Sequence, residues 1–211
     1  MATAGYRAQV NVSGSPVAFT NESTTANMTN TIYQINDPQK RVLAREAAIT
    51  VEESSDGVTW QVVDPTVYTL NRLNGSVEFP NGTTAQVRLS GEYLPMSKAA
   101  EAHEYTYTLE ADNQDVPLFG SPNNRRSQGL RDVTGSLTNW YETNSIFQNA
   151  IMNNQTFVID FYSDTAKAEP DLRVWALISS DEASAEVDGM VEEDVEFEGT
   201  TDMEGRMMTN G

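Results

Sequence analysis

Carboxylates are the side chains through which this sequence could do chemistry, because it holds 31 Asp and Glu residues against 13 Lys and Arg. Paired carboxylates serve glycosidases as acid and nucleophile, and clustered carboxylates bind calcium. The Asp-x-[Asp/Asn]-x-[Asp/Asn]-Gly pattern of a calcium loop is absent. The late carboxylates alternate along one segment instead of converging from a loop, so the sequence disfavours both a glycosidase pair and a calcium loop.

Histidine and cysteine offer little catalytic chemistry. His103 is the only histidine, and there is no cysteine. A Ser-His-Asp triad would need His103, but no Gly-x-Ser-x-Gly elbow accompanies it. Metal sites built from several His or Cys residues are excluded by count. We therefore interpret His103 as a structural or surface residue, and we expect no metal and no cofactor.

The segment from Glu186 to Glu198 alternates two kinds of side chain. Successive side chains of a β-strand point to opposite faces, so the segment predicts a strand with one apolar face and one nearly all-carboxylate face. The carboxylate face carries Glu186, Asp188, Glu192, Asp194, Glu196 and Glu198, with Met190 among them, and the other carries Val187, Gly189, Val191, Glu193, Val195 and Phe197. Two interpretations stay open: exposed charge that prevents edge aggregation, or a negative wall that several copies build around one cavity.

The net charge of −18 bears on possible partners. Sequence-independent binding of nucleic acid requires Lys and Arg to neutralise phosphates, so a DNA-binding role is disfavoured. A surface that repels phosphate would instead let DNA pass without sticking. No apolar run approaches the roughly 18 residues of a membrane span, and no secretory signal is recognisable at the N-terminus.

Strand patterns dominate the rest of the chain. About ten or more short strands are predicted, separated by turn dipeptides such as Asn74-Gly75 and Asn81-Gly82, with residues 117–128 as a loop. Residues 140–153 break the pattern, because Ile146, Phe147, Ala150 and Ile151 form one stripe of a helix. We expect a mainly β fold in a single domain over residues 1–199, followed by a flexible tail over 200–211.

Short stretches along nearly the whole chain are similar to those of a known protein family. They run in order as Gly5-Tyr6, Pro16–Glu22, Tyr33–Ile35, Lys40–Leu43, Ala48–Val51, Asp56-Gly57, Gly75–Phe79, Ser90–Pro95, Asp132–Leu137 and Val195–Gly199. In this order, with one helix between the late strands and the charged strand last, the sequence resembles the major tail tube proteins of long-tailed bacteriophages.

The resemblance implies a β-sandwich or barrel of two antiparallel sheets flanked by one α-helix. It also implies subunits that assemble into hexameric rings, which stack into a hollow tube. One sheet per subunit would join a continuous barrel around an acidic lumen, which houses the tape-measure protein and conducts DNA during ejection. Further partners would be the tail terminator and the tail-tip or baseplate proteins. The expected location is the virion tail, assembled in the host cytoplasm, without membrane association.

Site residues follow from the resemblance as expectations. Glu192, Asp194, Glu196 and Glu198 are candidates for lumen charge. Candidates for contacts between rings are Asn21, Asn27, Lys40, Arg41, Arg125 and Arg126, the last two placed in the predicted loop. The resemblance implies function through assembly, without a catalytic step.

Three alternatives remain open at this level. A carbohydrate-binding or adhesin module would need exposed aromatic residues, for which Trp140 and Tyr141 are the candidates. An enzyme acting through paired carboxylates would need a concave site. A tube of a contractile injection machine is a close neighbour of the main hypothesis and differs by a sheath on its outer surface.

Overall fold

The protein is mainly β. The computed structural model describes residues 7–99, 102–116, 125–140, 146–184 and 191–209. Within these residues the chain forms fifteen strands and one α-helix, α1 (Ile146–Asn153). The strands are β1 (Gln9–Ser13), β2 (Val17–Ala26), β3 (Ile32–Ile35), β4 (Thr50–Ser54), β5 (Gln61–Val62), β6 (Thr69–Asn71), β7 (Ser76–Glu78), β8 (Gln86–Tyr93), β9 (Met96–Lys98), β10 (Ala102–Val116), β11 (Arg125–Trp140), β12 (Thr156–Tyr162), β13 (Leu172–Ser184), β14 (Glu192–Gly199) and β15 (Met208–Thr209). The expected mainly β fold with two antiparallel sheets and one helix is confirmed.

The chain divides into two compact units. The first comprises Met1–Ala99, Phe157–Trp175 and Thr201–Gly211, and the second comprises Ala100–Thr156 and Ala176–Thr200. Strand β13 runs through both, since its first four residues belong to the first unit. This division describes contacts in the folded chain and not independent folding, so the expectation of a single domain stays a prediction.

The first unit contains an antiparallel sheet of seven strands in the order β5-β4-β8-β2-β3-β7-β6. Its core is a cluster of buried side chains that alternate along these strands, which matches the period of two predicted for half-buried strands. The cluster includes Phe19, Tyr33, Ile35, Val51, Val77 and Leu89. Burial of this apolar surface is the main stabilising contribution to the unit.

A second group of strands completes the first unit. Strand β12 pairs with β1, which pairs with β9, and β15 pairs with the start of β13. Trp175 is fully buried in a cluster with Val42, Leu73, Leu94 and Val158. Beside this cluster, Arg173 forms two hydrogen bonds of 2.6 Å to the carboxylate of Asp160, and both side chains are buried.

The second unit is built on four antiparallel strands in the order β10-β11-β14-β13. The β10–β11 hairpin pairs from Ala102 with Asn139 to Val116 with Arg125. Strand β14 lies between β11 and β13, pairing Phe197 with Gly135 on one side and with Ile178 on the other. Strands β11 and β14 are therefore each stabilised by hydrogen bonds to two neighbouring strands.

Several local expectations are corrected by the structure. Arg125 and Arg126 begin β11 instead of lying in a loop, since their backbones pair with Val116 and Asp115. Trp140 ends β11 and is not part of the helix, which begins at Ile146; residues 141–145 lie outside the described residues.

The described part of the C-terminal segment makes specific contacts. The flexible tail expected over residues 200–211 stays a prediction. Thr209 and Met208 pair with Arg173 and Val174, and the Met207 carbonyl accepts a hydrogen bond of 2.9 Å from the Trp175 N–H. The Nε–H group of Arg72 donates a hydrogen bond that both carboxylate oxygens of Glu204 share. This pairing could not be predicted from the composition, because the segment is polar and its partner strand β13 is distant in sequence.

Candidate functional site: an acidic face and a buried carboxylate pair

Strand β14 separates its side chains as the alternating pattern predicts. Asp194, Glu196 and Glu198 are exposed, whereas Val195 and Phe197 are almost completely buried. Glu192, at the start of the strand, is half-buried. The upstream part of the predicted segment, residues 186–190, lies outside the described residues.

Neighbouring strands extend the charged surface of β14. Cross-strand partners share a face, so the register identifies which residues lie beside the carboxylates. Strand β11 contributes Thr134, Ser136 and Thr138 opposite Glu198, Glu196 and Asp194, and β13 contributes Glu182 opposite Asp194. On β10 and β11, Glu110 lies opposite Asp132, while Glu104 pairs with Thr138. We call this surface the acidic face; its carboxylates are Glu104, Glu110, Asp132, Glu182, Asp194, Glu196 and Glu198.

The acidic face places like charges side by side without compensation. Glu182 and Asp194 are directly opposite one another, as are Glu110 and Asp132, and such pairs are destabilising. Within residues 104–110, 132–140, 180–184 and 192–198 of these strands, this face carries no Lys or Arg; it carries hydroxyl groups, such as those of Thr106 and Ser136, whose oxygens lie 3.0 Å apart. Stability alone does not account for this distribution of charge.

The opposite face of the same sheet is apolar and holds the strands in place. Val133, Leu137, Val195 and Phe197 are buried there. Gly135 provides the space for the Phe197 ring, since a Cβ at this position would lie 2.6 Å from its Cζ atom. This packing presents the acidic face on a sheet of fixed register.

The β10 strand provides an edge. It ends the strand order, and no described strand pairs with its outer side. The Thr106 carbonyl oxygen faces β11, next to Gly135. Because backbone groups of successive residues point to opposite edges of a strand, those of Leu109, three residues further on, point outward. Near this edge Leu109 and Leu130 are exposed, by 52% and 86%.

His103 has no catalytic surroundings. Its ring stacks on Trp140 with centroids 4.5 Å apart, and its Nε2 lies 4.0 Å from a carboxylate oxygen of Glu192. These contacts agree with the interpretation of His103 as a surface residue. They also cover one face of the Trp140 ring, which a carbohydrate-binding platform would need; Tyr141 lies outside the described residues.

The candidate contact residues have partners within the chain. Asn27 accepts hydrogen bonds from the backbone of Thr31 and Ile32 and so holds the turn between β2 and β3. Asn21 adopts a left-handed conformation (φ 54°) and donates its N–H to the Ser90 hydroxyl. Lys40 pairs with Glu22 at 2.5 Å and with Asp37 at 3.6 Å. Arg41 donates to the Ile35 carbonyl and to Glu169, at 2.9 and 2.8 Å.

Asp181 and Glu193 form a buried carboxylate pair that the sequence pattern does not predict. Glu193 stands on the apolar side of β14 and is 3% exposed, with Asp181 beside it on β13. Burial raises the pKa of Asp181 to about 6, and the nearby charge of Glu193 adds to the effect. Glu193 was visible in the sequence as the one acidic residue on the apolar side of the pattern.

Possible metal ligands, helix lengths and surface hollows can be compared, within the described residues, with those that other kinds of site require. They contain no group of three or more His, Cys, Asp or Glu placed to hold a metal. Among the same residues, no helix has the length and apolar character required to cross a membrane. Two hollows of the first unit, about 590 and 420 Å³, are lined by no carboxylate, so neither offers the paired acids of a glycosidase.

Comparison with known proteins finds distant structural similarity. No protein-family model matches the sequence, and no curated protein matches it either. Among solved structures, the chain is similar to one from the tail of an empty gene transfer agent particle with C6 symmetry, with a TM-score of 0.44 and 10% identity over 56% of this chain and 87% of that chain. A chain from the virion of a native gene transfer agent particle gives a TM-score of 0.44 and 10% identity over 55% of this chain and 88% of that chain. Similarity at this level assigns no function.

Proposed function

We propose that the protein is the structural subunit of a bacteriophage tail tube, in which stacked, hexameric rings surround an acidic lumen. The observation that carries the proposal is the acidic face on β10, β11, β13 and β14. Like charges that face each other across strands cost stability in a lone subunit. In a tube that conducts DNA, the same charges would prevent DNA from binding to the wall, because a negative surface repels phosphate.

The potential of such a wall would add over the ring. Neighbouring carboxylates on one strand face are about 7 Å apart, which is within the Debye length of roughly 8–10 Å at physiological salt. Six copies around one channel therefore reinforce each other in a narrow space. Glu192, Asp194, Glu196 and Glu198 are the proposed lumen residues, and the hydroxyl groups of β11 beside them add polarity without positive charge.

The β10 edge supplies a means of closing the ring. An exposed edge of fifteen residues invites pairing with another chain, and closure into a barrel removes such edges. The outward backbone groups of Leu109 and the exposed side chains of Leu109 and Leu130 are available to a neighbouring subunit. An obligate interface of this kind buries about 2,000 Å² or more.

Contacts between rings are proposed for Asn21, Asn27, Lys40, Arg41, Arg125 and Arg126. Lys40 and Arg41 already form ion pairs within the chain, so their part in stacking requires them to exchange or share partners. Arg125 and Arg126 stand near the far end of the β10–β11 hairpin, where a strand end can reach a neighbouring ring.

The remaining partners follow from the same proposal. The lumen would hold the tape-measure protein before ejection, and the tube would end at a tail terminator and at tail-tip or baseplate proteins. DNA would pass without specific binding. The protein would act in the virion after assembly in the host cytoplasm, without catalysis and without a membrane.

Electron microscopy of the purified chain tests the proposal. We expect hollow tubes or stacked rings of uniform width at high protein concentration, favoured by salt, because screening weakens repulsion between acidic subunits. Monomers alone, both at about 0.1 M and at about 1 M salt, where the Debye length falls to about 3 Å, would contradict it.

A matched pair of variants tests the edge itself. Leu109→Pro removes an outward N–H without touching the β11 ladder, and proline is tolerated at sheet edges. We expect this variant to fold and to form no rings, whereas Leu109→Ala, which keeps the N–H, still assembles. Rings formed equally by both variants would show that β10 pairing does not close the ring.

A further inference from the structure

Three residues at one end of the β11–β14–β13 sheet carry buried oxygen atoms that no donor among the described residues satisfies. The atoms are Asn139 Oδ1, Asp181 Oδ1 and Oδ2, and Glu193 Oε1, and within that part of the chain none of them has a hydrogen-bond partner. Asn139 and Glu193 are only 5% and 3% exposed. Buried polar groups normally have partners, so four orphaned oxygens at one place require an explanation.

The strand register places these three side chains on one face. Asn139 is the direct partner of Glu193, and Glu193 is the direct partner of Ala183 on its other side. Asp181 precedes Ala183 by two residues and therefore shares its face, diagonal to Glu193. Direct partners have Cβ atoms about 5 Å apart and diagonal ones about 7–8 Å, so their terminal oxygens converge.

A shared proton explains only part of this arrangement. A proton between Asp181 and Glu193 satisfies two of their three orphaned oxygens, one as donor and the other as acceptor, and the raised pKa of Asp181 agrees with their proximity. It leaves Asn139 Oδ1 and one oxygen of Asp181 without a donor. Buried charges that lack protein partners commonly coordinate metal ions.

We propose that Asn139, Asp181 and Glu193 form a calcium site. Carboxylate and amide oxygens are the ligands of Ca²⁺, whose coordination adapts to irregular sites, whereas Mg²⁺ demands near-ideal octahedral geometry. Two carboxylates and one amide leave further positions for water. The bound cation joins β11, β14 and β13 and neutralises two buried charges beneath the acidic face.

Calcium titration of the purified full chain tests the site without any variant. After removal of divalent ions with a chelator, we expect about 1 mM Ca²⁺ to raise the melting temperature by mass action and to bind with measurable heat. An equal concentration of Mg²⁺ has a smaller effect. Terbium, which takes the same oxygen ligands, should luminesce on excitation of Trp140, the neighbour of Asn139. No thermal shift and no binding heat with Ca²⁺ would overturn the proposal.

Matched variants separate the site from general attraction of cations to an acidic protein. Asp181→Asn and Glu193→Gln should each lower calcium affinity about tenfold or more, the scale seen when metal sites lose a supporting contact. Glu196→Gln removes the same charge from the exposed side of the same strand and should leave the affinity nearly unchanged. An equal loss in Glu193→Gln and Glu196→Gln would show diffuse binding and reject the site.

Asn139→Asp decides the role of the amide. If Asn139 Oδ1 faces the cation, a third carboxylate strengthens calcium binding. If the amide nitrogen instead donates to Glu193, the substitution destabilises the chain and no calcium effect appears, which contradicts the proposal.

Discussion

Arg173 contacts two segments that are distant from it in sequence, at Asp160 and at Leu73. Its guanidinium binds both oxygens of Asp160 at 2.6 Å and donates to the Leu73 carbonyl at 2.7 Å, and its side chain is 8% exposed. Breaking such a buried pair leaves an uncompensated charge. We expect Asp160→Ala to destabilise the protein by about 3–5 kcal/mol, measured by urea denaturation.

A double variant controls for the charge in this experiment. Replacing both partners with apolar residues, Asp160→Leu with Arg173→Met, should cost less than the single change, because no unpaired charge remains. A double variant that is less stable than Asp160→Ala would mean that the hydrogen bond to Leu73 outweighs the ion pair.

Asp171 gives a residue-scale prediction for pH. A hydrogen bond from Lys167 and others from Ser163 lower the pKa of Asp171 to about 2. The unfolded value is about 3.9, so these contacts stabilise the fold fully above pH 4 and are lost as pH falls through about 2. We expect the melting temperature of wild type to exceed that of Asp171→Asn at neutral pH and the difference to close near pH 2. A difference constant from pH 2 to 7 would refute this.

Single side chains also show where sequence reasoning stops. The exposure of Asp194, Glu196 and Glu198 follows from strand alternation alone, and it is confirmed. The burial of Glu193 beside Asp181 depends on which strands become neighbours, and no local pattern encodes that. The same holds for Lys40 and Arg41, whose partners Glu22 and Glu169 lie 18 and 128 residues away.

At the scale of elements, Gly135 is the position on which the β11–β14 pair depends. A Cβ there would lie 2.6 and 2.8 Å from the Phe197 ring and would also meet the Thr106 carbonyl of β10. We expect Gly135→Ala to destabilise the protein by about 1–3 kcal/mol, the usual cost of overpacking, in thermal or urea unfolding. Gly14→Ala is the control, because its Cβ would meet Pro95 Cγ at an ordinary 3.4 Å. Equal stability of the two variants would contradict the packing argument.

Element type was easier to predict than element extent. Strand β12 follows from a short apolar run that is uncharged except for Asp160. The turn at residues 54–57 follows from its Ser-Ser-Asp-Gly sequence, where Asp56 accepts backbone hydrogen bonds from Val58 and Thr59. The start of β11 at Arg125 was missed because a polar segment next to Pro and Gly resembles a loop. Its strand form comes from pairing with Asp115 and Val116, which is a tertiary effect.

For the whole molecule, charge and fold must be considered together. The net charge of −18 disfavours compaction through self-repulsion, yet the sheet concentrates carboxylates on one face. The composition predicts repulsion of nucleic acid, and the strand register shows that carboxylates of β10, β11, β13 and β14 share one face. The oligomer that would use this face is not encoded in any single-chain pattern, so it stays a proposal.

Reversal of charge on the acidic face gives the prediction that belongs to the assembled tube. In Glu196→Lys with Glu198→Lys, both side chains are exposed, so we expect folding and tube formation to persist. Lumenal lysines attract phosphate, so these tubes should retain DNA and, in a phage that carries them, infectivity should fall steeply.

A control of equal charge makes this test specific. Glu78→Lys with Glu92→Lys reverses two exposed carboxylates of the first unit and should leave infectivity and DNA retention near wild-type values. Retention of DNA should also weaken as salt rises, because phosphate contacts release counterions. If the variant with reversed Glu196 and Glu198 forms tubes and infects normally, these carboxylates do not line the path of the DNA, and the acidic face would then serve to keep free subunits apart, as exposed charge does on other sheets.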